Sequence, residues 1–334
     1  MADGLRAVDW FGSVTMLGLT LMVLLGLNFG GVVAAWSSAK TICLIVFGSL
    51  MGLFFILSEK YLATYPIVPM RLFRERSNIA AYAITFIHGF VFFAAEYYLP
   101  LYLQAAKLAT PTHSGLLILP LVTTSALAAA ATGALIHATG EYRQLLQAGM
   151  VLMTLGVALF ALLLGAHTSV PTIVGLEVLT GVGIGLCFQP PNMAVQALVP
   201  QHDVAAATGA LGFLRNLATS LSVVVGGVVF QNGMAMREAA LRRAGVDAAL
   251  AAELAGPAAA ANVELIAGIA DPRLQLLVRK AFAWSLRNSW ILYACVSACG
   301  VVVTLFIKRS VLSKEHTETK TGIRSAEEEA VVAN

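Results

Sequence analysis

Glu177 is the one charged residue in the apolar run 173–191, and that setting decides what it can do. A charged side chain at mid-bilayer costs about 2.5–3.5 kcal/mol on insertion scales. Glu177 is therefore expected either to face a cavity and take up a proton, or to make a hydrogen bond between helices. His88 lies inside the apolar run 79–102, and at 1.5 Å per residue it sits about 14 Å from the start of that run, near the midplane. It reads either as a pathway group or as a neutral histidine hydrogen-bonded between helices. Glu96, just before Tyr97 and Tyr98, is either a pathway acid or a rim acid reaching water. Arg215 interrupts the run 205–230, where it either lines a cavity or snorkels to the interface. Gln189 closes the run of Glu177 ahead of Pro190 and Pro191, which cannot continue a helix ladder. Such residues suit the passage of protons and of a small solute. They do not assemble a catalytic site: the chain has no phosphate-binding Gly-x-x-x-x-Gly-Lys-Ser/Thr loop, no His-Glu-x-x-His and no Gly-x-Ser-x-Gly elbow. No catalytic residue and no cofactor are expected.

The elements that must position these groups follow from composition. Of 334 residues, 58% are hydrophobic and only 12% charged, and the mean hydropathy is +0.81, the balance of an all-α integral membrane protein. A hydrocarbon core of about 30 Å needs about 20 apolar residues as helix. Eight runs qualify: 12–35, 41–58, 79–102, 115–136, 145–166, 170–189, 205–230 and 290–307. Trp10, Trp36, Trp284 and Trp290 flank such runs, as rings favouring the headgroup zone should. Gly181 and Gly185, spaced i and i+4, clear one face of the sixth span for close packing on a neighbour. With eight spans both termini share a side. Lys60, Arg71, Arg74, Arg76, Arg143 and Lys308 fall on that side and place it in the cytoplasm, whereas the opposite short loops hold only Lys40 and Lys107.

Two segments fall outside this pattern. Residues 231–287 form an external loop, alanine-rich, with Gly256-Pro257 and Asp271-Pro272 as helix breaks and room for two or three amphipathic surface helices. Residues 308–334, charged and poor in large apolar side chains, read as a disordered cytoplasmic tail. The four cysteines lie in apolar runs and imply no disulfide framework. Cys295 and Cys299 share a helical face, but no histidine or carboxylate stands nearby in sequence, so no metal site is expected. The net charge of +3 is small and the basic residues form no stripe with interleaved aromatics, which argues against nucleic acid as a partner. The aromatic run Phe86, Phe90, Phe93, Tyr97 and Tyr98 is either an apolar wall for a bound solute or helix packing.

Several stretches in order resemble the second half of a major facilitator superfamily transporter, of the fungal fourteen-span drug:proton antiporter type. They are Val8-Asp9-Trp10-Phe11-Gly12-Ser13, Pro69-Met70-Arg71-Leu72-Phe73, Tyr97-Tyr98-Leu99-Pro100-Leu101-Tyr102-Leu103-Gln104, Ser114-Gly115 with Leu119-Pro120, Gly181 to Gly185 with Phe188-Gln189, and Ala207-Thr208 with Phe213-Leu214-Arg215-Asn216. The resemblance implies two central spans and a linker in 1–78, and the C-terminal six-helix domain in 79–307. It also implies proton-coupled efflux of small organic compounds through a multi-pass protein of the plasma membrane. The family's N-terminal six-helix domain has no counterpart in these residues, so a missing half or a partner chain is expected, and a non-transporting half-carrier is the alternative. A degenerate copy of the family's gating-loop motif runs through Gly133, His137, Gly140 and Arg143, with His137 in place of the usual acid and Ala138 in place of the following base.

Overall fold

A computed structural model describes residues 9–30, 34–63, 68, 70–255 and 258–309. Among these the protein is helical throughout, with a single isolated bridge, Gly30 to Ala34, and no strand. Eight helical stretches are long and apolar enough to cross a membrane. Helix α1 (Trp10–Phe29) starts where the Asp9 side chain accepts a bond from the Gly12 N–H at 2.7 Å, and α2 (Ala39–Tyr61) where Ser38 does the same for Thr41 at 3.2 Å. The two pack as a hairpin, with Gly48 against Val23 and Gly26 against Ile45.

The remaining spans form a six-span bundle around α3 (Arg76–Lys107). That helix carries Pro100 internally and ends at Leu108, held in the left-handed region at φ 56°. The fourth span is jointed, with α4 (Pro111–Leu117) giving way at Ile118 to α5 (Leu119–Thr139) because Pro120 starts a new helix. Helix α6 (Arg143–Leu163) follows. The sixth span is jointed too. Here α7 (Val170–Leu186) breaks over residues 187–189 and α8 (Pro190–Gln196) resumes, so Pro190 and Pro191 open a second helix where the sequence reading had the run stop.

The loop expected over 231–287 is much shorter. Helix α9 (Val204–Arg243) runs on past 230, because 231–243 is rich in Ala, Met, Glu and Arg and carries an i,i+4 pair, Glu238 with Arg242 at 2.5 Å. Helix α11 (Pro272–Thr304) begins well before 290. Asp271-Pro272, read from sequence as a break, is a start signal: the Asp271 side chain accepts from the Arg273 N–H at 2.8 Å and Pro272 occupies the first turn. Between them, among the described residues, lie one short helix, α10 (Ala248–Ala255), and a 3-10 turn, Val263–Gly268. Gly256-Pro257 and residues 310–334, the greater part of the expected tail, lie outside the described residues. Forty helical residues span about 60 Å, twice the hydrocarbon core, so the end of α9 must project beyond it. There α9 pairs with α11 through Phe230 on Phe282 at 5.6 Å and Arg237 over the Trp284 ring at 3.8 Å.

Helix α3 packs on α9 and α11, α6 on α7 and α11, and α5 on α7. Several polar groups at the centre of the bundle bond across helices. Tyr98 donates to the Val223 carbonyl at 2.7 Å, Tyr293 to that of Ser222 at 2.7 Å, and Ser222 to that of Phe90 at 2.6 Å. Large apolar side chains point outward, such as Leu127 and Leu162 at 70% exposure, the inversion expected of a lipid-facing surface. Three glycines of α7 permit its close packing. A methyl group at Gly181 would strike Thr124 and Leu121 of α5, one at Gly185 would strike Ser125 of α5, and one at Gly183 would strike the Leu152 and Met153 backbone of α6.

Gly183→Ala is expected to cost about 1–3 kcal/mol through overpacking, whereas Gly175→Ala, with open space around the added methyl, should be neutral or stabilising by up to about 1 kcal/mol. Thermal unfolding in detergent compares them, and equal midpoints would contradict this packing.

Candidate functional site

The interruption of the sixth span organises the site. A helix leaves its last carbonyls without intrahelical partners, and a break inside a membrane protein needs other donors for them. The Ile184 carbonyl accepts from the Cys187 N–H at 3.1 Å and from His88 Nε2 of α3 at 3.0 Å. A carbonyl only accepts, so this contact assigns the proton to Nε2. His88 is completely buried, and its Nδ1 has no hydrogen-bond partner among the described residues. Its ring stacks on Phe92, with centroids 5.9 Å apart, and meets Phe188 edge-on at 5.2 Å.

Arg215 of α9 closes the cluster from the other side. Its guanidinium lies 4.7 Å above the Phe188 ring, and Nη2 reaches the Phe188 carbonyl at 3.5 Å. Gly89 makes this approach possible, since a side chain there would press on the Arg215 carbonyl at 3.1 Å. Gln189 is exposed at the mouth of the break, at the cap position of α8, and makes no capping bond. His88, Arg215 and Gln189 are thus gathered at one level around Phe188.

Glu177 lies elsewhere. It is completely buried and neither carboxylate oxygen has a hydrogen-bond partner among the described residues. Thr180, one turn on, meets Gly156 of α6, and Gly181 meets α5, so helical geometry sets Glu177 between these two contacts in the seam of α5, α6 and α7. It stands seven residues before Ile184, about 10 Å along the axis. Glu96, half-buried on α3, is eight residues beyond His88, about 12 Å in the same direction, because α3 and α7 run oppositely. The two acids therefore share a depth, one to two turns removed from the histidine cluster.

The segment from Gly133 to Arg143 sits at the end of the bundle where Lys308 lies. Gly133 has open space about it, His137 is exposed on the last turn of α5, and Gly140 ends that helix at φ 73°. Glu141, which the sequence reading passed over, pairs with Arg309, and the Tyr142 hydroxyl donates to the Lys308 carbonyl at 3.2 Å. Lys308 also pairs with Glu75 at 2.5 Å, and Arg71 pairs with the buried Asp203 at 2.5 Å. A polar cavity of about 200 Å³ is lined by Glu141, Tyr142, Arg143, Gln144, Gln147 and Arg309. No local signal marks these pairs, since Glu141 and Arg309 are 168 residues apart.

The aromatic run does not form one wall. Phe90 and Tyr98 are buried against α9 and α11, while Tyr97 is exposed; Tyr97 and Tyr98, without Phe86, Phe90 or Phe93, line a cavity of about 220 Å³ with Leu27, Gly227 and Gln231. Among the described residues no group of three or more His, Cys, Asp or Glu side chains is placed to hold a metal ion.

Comparison with known proteins gives a consistent result. The family model described as the Major Facilitator Superfamily matches residues 6–223. The chain is 39% identical over 320 residues to the "MFS-type transporter ppz2" of Metarhizium majus, covering 96% of this chain and 55% of that protein. It is 39% identical over 323 residues to "Efflux pump dotC" of Dothistroma septosporum strain NZE10, covering 97% and 55%. It is also 32% identical over 324 residues to "Efflux pump FUS6" of Gibberella fujikuroi, covering 96% and 58%. The chain spans about half the length of these curated relatives.

His88→Ala should destabilise the protein by about 1–3 kcal/mol, since it removes one of two donors to the buried Ile184 carbonyl and leaves a cavity where the ring packed on Phe92 and Phe188. His88→Gln, whose amide nitrogen falls near the position of Nε2, should recover part of it. Detergent unfolding midpoints test the order wild type, Gln, Ala, and an Ala variant as stable as wild type would contradict the capping role.

Proposed function

This chain belongs to the major facilitator superfamily, and we propose that it supplies one side of a proton-coupled carrier that exports small organic compounds. The observation that carries the reading is Glu177, a completely buried carboxyl without a hydrogen-bond partner among the described residues, on a membrane helix that glycines bring tight against two neighbours. An acid so placed needs a reason, and binding and releasing a proton within a transport cycle is one. The efflux pumps among the relatives support the direction of transport.

In this reading 1–78 contributes the two central spans and 79–307 a six-helix domain that rocks against a second domain supplied by further chain or by a partner. Glu96 and Glu177 carry protons at one depth. His88, Arg215 and Gln189 border the solute path at the broken helix. Gly181 and Gly185 keep α7 seated, and Gly133, His137, Gly140 and Arg143 form the loop that gates the domain movement. Both termini face the cytoplasm, in the plasma membrane. One proton crossing about 100 mV releases about 2.3 kcal/mol, enough to hold a solute gradient of about fifty-fold.

The half-length match favours a second reading, a half-carrier that does not transport but pairs with or regulates another chain. Co-reconstitution separates the readings. Co-reconstituted with the N-terminal half of a related pump, the chain should drive export of a lipophilic dye under an imposed pH gradient, and Glu177→Gln should lower that rate at least about ten-fold, a loss of about 1.4 kcal/mol in coupling. A Gln variant at the wild-type rate would remove Glu177 from proton coupling, and no export by the pair would leave the half-carrier reading. Vesicles holding this chain alone are expected to show no export.

A further inference from the structure

At the end of the bundle opposite Lys308, two cations converge on one backbone oxygen. Lys107, the last residue of α3, donates from Nζ to the Ala166 carbonyl at 2.9 Å, and Arg279 of α11 donates from Nη2 to the same carbonyl at 3.3 Å. Arg279 also donates from Nε to the Ala106 carbonyl at 2.8 Å. Among the described residues neither cation is in an ion pair. The loop that carries Ala166 is fixed in place, because Tyr102 donates to the Gly165 carbonyl at 2.8 Å and the Gly165 N–H donates to Thr168 at 2.8 Å. The two charges are therefore held together by the fold.

A structural role explains part of this. The carbonyl end of α3 favours a cation, and Arg279 caps it. A helix terminus, however, offers only about half an elementary negative charge, against two full positive ones. A lysine offers three donors and an arginine five, and the bonds to Ala106 and Ala166 use one of the first and two of the second. Both residues are partly exposed, and their spare donors have no protein acceptor among the described residues. By contrast, at the opposite end Arg71, Lys308 and Arg309 each meet a carboxylate. The pair also lies at the level where α3 ends and where Trp284 stands one turn further along α11, the depth of an interfacial ring.

We propose that Lys107 and Arg279 form a binding site for a phosphate group, as carried by the headgroup of a membrane phospholipid. Two fixed cations at interfacial depth with unspent donors match the tetrahedral oxygens of a phosphodiester. The bound phosphate offsets their mutual repulsion and ties α3, the α6–α7 loop and α11 together at that face.

The test uses the full 334-residue chain in detergent, titrated with dioleoyl phosphatidylglycerol, with dioleoylglycerol, which lacks the phosphate, or with inorganic phosphate, while thermal unfolding is followed. A ligand of the folded state raises the midpoint with concentration. Phosphatidylglycerol should raise it for wild type and for Lys107→Arg, and Lys107→Gln should need at least ten-fold more lipid for the same rise. Dioleoylglycerol should have no such effect. A rise with inorganic phosphate as well would assign the site to phosphate from either source, and a rise with the lipid alone to the headgroup. Equal responses of wild type and Lys107→Gln, or equal effects of the two lipids, or no response to either phosphate probe, would overturn the proposal. If Lys107→Gln does not fold, the comparison of the two lipids on wild type decides it.

Discussion

A bilayer offers no water to an unpaired backbone group, and that constraint shapes the centre of this protein more than any other. A continuous helix meets it without help. The sixth span is not continuous, and its broken end needs a donor from elsewhere, which His88 provides from α3. The cap then fixes much of what surrounds it. His88 must be buried, its ring must be packed by Phe92 and Phe188, and Arg215 can approach only because residue 89 is glycine. The hydroxyls of the core obey the same rule: Tyr98, Tyr293 and Ser222 each end on a carbonyl of a neighbouring helix. These contacts link α3, α9 and α11 through polar groups, where apolar contact would not distinguish a neighbouring helix from lipid.

The close seating of α7 is the second requirement. Its glycines alternate between two partners, Gly181 and Gly185 toward α5 and Gly183 toward α6, so backbone meets backbone on both sides. That tightness isolates Glu177. A looser interface would admit a side chain long enough to pair with it, or water. The acid and the glycines are thus one feature of the structure, and the spacing of the glycines explains why no side chain among the described residues reaches the carboxyl.

Much of this was legible in the sequence, and for identifiable reasons. Apolar runs of bilayer length gave the spans, and Glu177 and His88 stood out because charge and imidazole are rare in such runs. The end of the membrane did not coincide with the end of the helix, and hydropathy reports only the former. Residues 231–243 and 272–289 are polar enough to read as loop, yet their helix-forming side chains and the Asp271-Pro272 start continue the spans into water. Proline was read as a stop at 190 and at 272, and in both places it occupies the first turn of a new helix. The partner of His88 is a backbone carbonyl 96 residues away, and a backbone oxygen leaves no trace in residue identity. The pairs of Glu141 with Arg309 and of Arg71 with Asp203 were hidden for a similar reason, because each joins distant segments.

The two ends of the bundle are held by different physics, and the difference bears on movement. At one end, ion pairs join the start of α3, the α5–α6 loop, the start of α9 and the residues after α11. Lys308 and Arg309 are more than half exposed, and exposed pairs contribute only about 0–1 kcal/mol each, whereas the acid that Arg71 meets, Asp203, is buried. At the other end, cations bond to backbone carbonyls at a helix terminus and in a loop that is itself hydrogen-bonded in place. Releasing those bonds would strand partly buried carbonyls, at a cost of about 1–3 kcal/mol each. The contacts of Lys308 and Arg309 are therefore the cheaper ones to release, and the broken helix, with its exposed Gln189, lies on the stretch of the sixth span that runs toward them.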